Sequence, residues 1–188
     1  MGYLAEIQEY CPVNGQEEAD KKTILAYIDR YGNSTLYRDN TIAHLTSSAF
    51  VLNEECTQVL LAHHNILGKW AWLGGHLDGR EDMRAVALQE LAEETGVVSA
   101  RPLAPQIASI DILPVGAHTR KGEYVHAHLH LSVAYLFVCR QEDAVRSRQG
   151  ENTDVAWFGL EYFAPEHFNA YDVYLYQKLL QKALRIQT

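Results

Sequence analysis

The chain has 188 residues, 47% of them hydrophobic, 21% charged and 10% aromatic, which suits one core of ordinary domain size and sets aside disordered, collagen-like and coiled-coil classes. With 16 Lys and Arg against 24 Asp and Glu the net charge is −8 and no basic stripe stands out, so no nucleic-acid partner is expected, and a small anionic substrate would need bridging cations. Cys11, Cys56 and Cys139 lie far apart with no Cys-x-x-Cys pair, the first residues lack the blocks of a signal peptide, and the apolar run Leu131 to Cys139 is too short for a bilayer. A cytoplasmic protein without membrane attachment is expected.

Taken in chain order, Asn14-Gly15 opens a stretch with Ile24, Leu25 and Ile28 at helical spacing, and Gly32-Asn33 ends it, which predicts an N-terminal helix. Strand-like runs follow at Ala49–Leu52, Val59–Ala62 and Trp70–Leu73, with Asn53-Glu54-Glu55 as a hairpin turn and Gly74-Gly75 breaking the third run. Asp82 to Thr95 reads as a helix closed by Gly96. Further strands are expected at 106–113, 126–139 and 154–160, loops at Arg101-Pro102 and Gly116–Gly122, and a closing helix at 171–186. This is a mixed sheet with helices packed on its faces.

The segment that carries chemistry is Gly74-Gly75-His76-Leu77-Asp78-Gly79-Arg80-Glu81 and, eight residues on, Gln89-Glu90-Leu91-Ala92-Glu93-Glu94-Thr95-Gly96-Val97. At about 100° per residue, Ala87, Leu88 and Leu91 form one stripe, and Glu90, Glu93 and Glu94 share an arc of about 100° on another face. Glutamates on one helix face are usually a solvated surface. Here the like charges cost roughly 0.2–0.5 kcal/mol per pair at these spacings, and a cluster of hard oxygen ligands suits Mg²⁺ or Mn²⁺. The paired glycines would let backbone approach the same ion.

From Gly75 to Val97 the spacing closely resembles the Nudix box, Gly-x5-Glu-x7-Arg-Glu-U-x-Glu-Glu-x-Gly-U with U aliphatic, and every fixed position matches but one, where Gln89 stands for the arginine. The resemblance implies an α/β fold, a Nudix-like α/β/α sandwich with a mixed β-sheet, over residues 42–188, with 1–41 as an N-terminal helical extension. It also implies hydrolysis of a phosphoanhydride in a nucleoside diphosphate derivative with Mg²⁺ or Mn²⁺ as cofactor. Glu90 and Glu94 would be the main metal ligands, Glu93 would share a second ion or act as the base, the Gly74 carbonyl would complete the metal site, and Glu81 would act from behind it. Gln89, four residues before Glu93, can still reach that carboxylate as a neutral donor; loss of a charge-assisted contact costs on the order of 1–3 kcal/mol, which predicts slow catalysis rather than none.

His126, His128 and His130 alternate, so a strand would put them on one face, where aligned imidazoles could ligate a metal or contact a phosphate, the plainer reading being a polar strand face. His76, directly after Gly75, joins His128 and His130 as an expected substrate contact. The sequence thus reads as a divalent-metal-dependent pyrophosphohydrolase acting on a small nucleotide-type substrate, with homodimerisation left open. The alternative is a Nudix-like module that binds a nucleotide or sugar phosphate with little turnover, and Gln89 is its best support.

Overall fold

The structure is a computed structural model that describes every residue except 1, 67, 121 and 188. Its centre is β1 (Ala43–Asn53), an eleven-residue strand buried along its whole length. Such a strand must be covered on both faces, and its alternation does this: Leu45, Ala49 and Val51 enter one hydrophobic cluster, and Phe50 and Leu52 the other. β1 pairs antiparallel with β2 (Gln58–His64) and parallel with the twelve-residue β9 (His128–Cys139), which makes the sheet mixed. The main path runs β10-β2-β1-β9-β5, where β5 is Arg101–Pro102 and β10 is Asn152–Gly159. β3 (Lys69–Ala71) joins β2, β4 (Leu73–His76) joins β1, and β6 (Ser109–Val115) joins β9.

One face carries α1 (Tyr3–Glu9), α2 (Gly15–Tyr31) and α3 (Met83–Thr95), whose Ile7, Ile24, Ile28, Met83, Val86 and Leu91 share a core with Leu45 and Val133. The other face carries α4 (Ala170–Gln187), which seats Val173, Tyr176, Leu179 and Ala183 on Phe50, Leu61 and Leu136. The expected α/β/α arrangement is present.

Several local expectations change. Trp70–Leu73 is not one strand: the chain breaks at Trp72, leaving β3 on β2 and β4 on β1, and Gly74-Gly75 lie inside β4 opposite Ser48 and Ser47 rather than interrupting a run. The expected loop at Arg101-Pro102 is a two-residue strand on Val138 and Phe137, a short edge where proline is tolerated. Gly116–Gly122, expected as loop, contains β7 (His118–Arg120), which pairs with β8 (Glu123–Val125) as a separate, largely exposed ribbon with too little apolar alternation to read as strand; residue 121 lies outside the described residues. His126 falls outside β9.

The residues before 42 pack closely on the rest of the fold. Tyr135 donates to Glu6 at 2.7 Å. Glu17 is fully buried, paired with Lys182 and, at 3.2 Å, with Lys178, while Lys178 is also paired with Asp111. α2, β6 and α4 are therefore joined by a buried charge network.

Candidate active site

α3 starts where Asp82 accepts a hydrogen bond from the Ala85 amide at 3.0 Å and stops at Gly96, whose left-handed φ of 78° suits a glycine C′ position. Between these caps the helix buries Met83, Val86, Ala87 and Leu91. That rotation brings the glutamates to β4. Glu94 is buried, and its Oε1 accepts from the Gly74 amide at 3.1 Å. Glu90 lies against Gly75: a Cβ there would stand 2.4 Å from the Glu90 carboxylate, so only glycine leaves the carboxylate its place. Ser47, opposite Gly75 on β1, donates to the Met83 carbonyl at 2.6 Å and fixes the start of the helix against the sheet.

Burial pushes the Glu94 carboxyl up to about 8, with the Gly74 hydrogen bond opposing it and the Glu90 charge adding to it. Glu90 is also raised, by burial and then by Glu93. Glu93 is shifted the other way. Gln89 Nε2 donates to it at 2.6 Å and Arg148 at 2.5 Å, and these bonds hold it below the usual carboxylate range. Two carboxylates therefore resist ionising without a cation beside them, and the third is kept ionised by donors.

Gln89 does reach Glu93 as expected from its spacing, and it is itself oriented by Arg80, which donates to its Oε1. The expectation that Glu93 has lost its charged partner needs correction: Arg148, ahead of β10, supplies a guanidinium to Glu93 and also pairs with Glu151 at 3.0 Å. Glu81 is exposed, and among the described residues its carboxylate has no hydrogen bond or ion pair; it lies near Gly2, where an added Cβ would stand 3.2 Å from Glu81 Oε2. It does not reach Glu90, Glu93 or Glu94 by a direct bond.

The expected substrate contacts His76, His128 and His130 do come together, joined by a residue that the motif reading passed over, His44. Ring centroids are 5.0 Å apart for His44–His76 and for His76–His130, and 5.2 Å for His44–His130 and His128–His130. Burial, reinforced by the charges of Arg38 and the neighbouring imidazoles, lowers His76 to about 2; burial and the nearby histidines lower His130 to about 3. Strand register places this cluster on the opposite side of the sheet from α3. His76 is opposite Thr46 and His44 is opposite His130, whereas Ser47 and Gly75 face the helix.

Comparison with known proteins gives this geometry a family. The NUDIX domain model matches residues 43–179, well over half of the chain. The chain belongs to the Nudix family, a class of hydrolases acting on acid anhydrides. Among solved structures, it is similar to the MutT protein from Methanosarcina mazei Go1, at 19% identity and a TM-score of 0.53 over 76% of this chain and 96% of that one. The NUDIX domain of Shewanella oneidensis NrtR complexed with ADP ribose aligns at 22% identity, TM-score 0.52, over 77% and 88%. An Ap4A hydrolase binary complex from C. elegans aligns at 17% identity, TM-score 0.52, over 76% and 96%. At these identities the likeness is one of fold. No curated protein matches the chain.

Proposed function

We propose that this protein is a divalent-metal-dependent pyrophosphohydrolase that cleaves a phosphoanhydride in a nucleoside diphosphate derivative. The observation that carries the reading is the Glu90, Glu93 and Glu94 cluster seated against Gly74 and Gly75. The residues fit Mg²⁺ or Mn²⁺: the donors are hard oxygens, Glu94 is a buried carboxyl that burial pushes up to about 8, so that a bound cation would favour its ionised form, and the place of a Gly75 Cβ is filled by the Glu90 carboxylate. Glu90 and Glu94 would hold the ion, with the Gly74 carbonyl beside them. When bound, the ion supplies charge neutralisation at phosphate oxygens and lowers the pKa of bound water.

The chain's own residues supply the rest. Glu93, held ionised by Gln89 and Arg148, takes the proton of the attacking water. Arg80 holds the Gln89 amide so that its NH₂ end points at Glu93. Glu81, which the family pattern would put behind the metal site, makes no direct bond to the three carboxylates and is assigned no step in the reaction. The substrate class rests on the family and finds support in the ADP-ribose and Ap4A named for structural neighbours. A cytoplasmic setting, where Cys11, Cys56 and Cys139 would stay as the free thiols they are, completes the proposal. Among the described residues no helix is long and apolar enough to cross a membrane.

A panel of nucleoside diphosphate derivatives assayed with Mg²⁺ or Mn²⁺, with products separated chromatographically, tests the reading. Two phosphate-bearing products from one substrate, formed only with the divalent ion, are expected. Tight nucleotide binding with no cleavage across the panel would replace the hydrolase by a sensing module.

A further inference from the structure

On the sheet face away from the carboxylates, three strands bring imidazoles to one point. His44 enters from β1, His130 from β9 directly beside it in parallel register, and His76 from β4, opposite Thr46 one strand-pair step along β1. One ring nitrogen from each of the three can be chosen so that all lie within 4.8 Å of one another. His44 is 4% exposed, and its Nδ1 is 3.0 Å from the Asn40 carbonyl, an acceptor that can be satisfied only by an N–H. The proton is therefore on Nδ1, and Nε2 carries a bare lone pair. Among the described residues that Nε2, which is buried, has no hydrogen-bond partner, and the same holds for Nε2 of His130. Two buried ring nitrogens without partners, that of His44 a bare lone pair, are unfavourable as they stand, because each has given up water and gained no bond in return.

We infer that His44, His76 and His130 form a binding site for a borderline divalent transition-metal ion of the Zn²⁺ type, separate from the hard-oxygen site on α3. Imidazole nitrogens select such ions, whereas Mg²⁺ demands oxygen. The Nδ1–H of His44 held by a backbone carbonyl is the outer support that metal-ligating histidines normally have. A tetrahedral ion with Zn–N near 2.0–2.1 Å needs nitrogens about 3.4 Å apart, so the three side chains close in by about an ångström. Arg38, whose charge reaches all three imidazoles, is held on Asp78 by bonds of 2.9 and 2.6 Å, which offsets that charge at the site. His128, with its ring centroid 5.1 Å from His44, flanks the fourth position, which is left to water. An ion there ties β4, and with it Gly74 and Gly75, to β1 and β9. This inference does not depend on the hydrolase reading.

The test uses the full chain, stripped with a chelator and then titrated with Co²⁺ and, by competition with a chromogenic chelator, Zn²⁺. One equivalent of Co²⁺ should bind with the intense visible bands of a four-coordinate site, and the zinc-loaded protein should show three imidazole nitrogens at about 2.0–2.1 Å by X-ray absorption. His76→Gln and His130→Gln should each weaken Zn²⁺ binding by about tenfold or more, whereas Glu90→Gln with Glu94→Gln should leave it intact. The site is wrong if the wild type binds no Zn²⁺, if its absorption shows an oxygen shell, or if affinity is lost in the glutamate variant and kept in both histidine variants. The absorption measurement on the wild type decides the matter even if a histidine variant fails to fold.

Discussion

Glu93 shows how an isolated residue can be read correctly and its surroundings missed. Its bond to Gln89 follows from four-residue spacing on a helix, a local rule that needs only the sequence. Its bond to Arg148 crosses 55 positions and depends on how the segment before β10 returns to α3, for which no local pattern exists. The consequence falls on position 89. Because Arg80 already donates to Gln89 and Arg148 already donates to Glu93, Gln89→Arg would place a third guanidinium among two others, and no gain in turnover is expected. A several-fold rise in kcat would show that Glu93 is under-supported after all. Conversely, Arg148→Ala should lower kcat about two- to fivefold, the scale of a half-exposed ion pair. It should also move the acid limb of the pH–rate profile upward, because the bond that holds Glu93 below the carboxylate range is gone. Arg148→Lys should recover part of both effects. An acid limb unmoved in Arg148→Ala would remove Glu93 from the role of base, as would Glu93→Gln retaining wild-type turnover.

At the scale of elements, α3 was legible because its caps, apolar stripe and glutamates all obey one period, whereas β4 was not. Gly74-Gly75 looks like a break by composition, yet both glycines belong to a strand whose neighbour across the gap is a helix bearing carboxylates. His44 escaped for a related reason: no motif contains it, and its partners sit 32 and 86 positions away on other strands. The sequence gives little signal there, because Thr46-Ser47-Ser48 puts polar residues on both faces of the strand and its full burial shows only in the fold. The two glycines should also behave differently when substituted. A Cβ on Gly74 would lie 2.7 Å from the Ser47 carbonyl oxygen and 2.8 Å from Ser48 Cα, backbone that cannot yield cheaply, so Gly74→Ala should lower the melting temperature. At Gly75 the nearest obstacle is the Glu90 side chain, which can move, so Gly75→Ala should fold normally and bind Mg²⁺ about tenfold more weakly. Equal thermal stability of the two variants with equal Mg²⁺ affinity would refute this division of roles.

For the whole molecule, helices packed on a mixed sheet followed from the helical and strand-like runs and the α/β/α order of layers from the resemblance to the Nudix box, but the way residues before 42 attach followed from neither. The apolar spacing of α2 foretold a buried side; it could not foretell that Glu17, two residues into the helix, would be fully buried. Burial alone would raise the Glu17 carboxyl, but hydrogen bonds from Lys182, Tyr10 and the Val13 amide, with the charge of Lys178, outweigh it and leave the group lowered. A carboxyl lowered on folding contributes stability above its ordinary pKa and loses it as pH falls through the folded value, so denaturation midpoints should decline from about pH 4.5 downward. Glu17→Gln should abolish most of that dependence and cost on the order of 3–5 kcal/mol at neutral pH, since Lys182 would be left without its charged partner. A variant with wild-type stability at pH 7 would show that the network contributes little to holding α2 and α4 together.

The central claim, that the α3 glutamates against Gly74 and Gly75 are a divalent-metal centre, is met most directly by calorimetric titration of Mg²⁺, an ion that imidazoles do not attract, into the wild type and into Glu90→Gln with Glu94→Gln. Saturable binding to the wild type that disappears in the double variant, with its far-ultraviolet circular dichroism unchanged, is the expected result. Equal Mg²⁺ affinity in the two proteins would contradict the assignment.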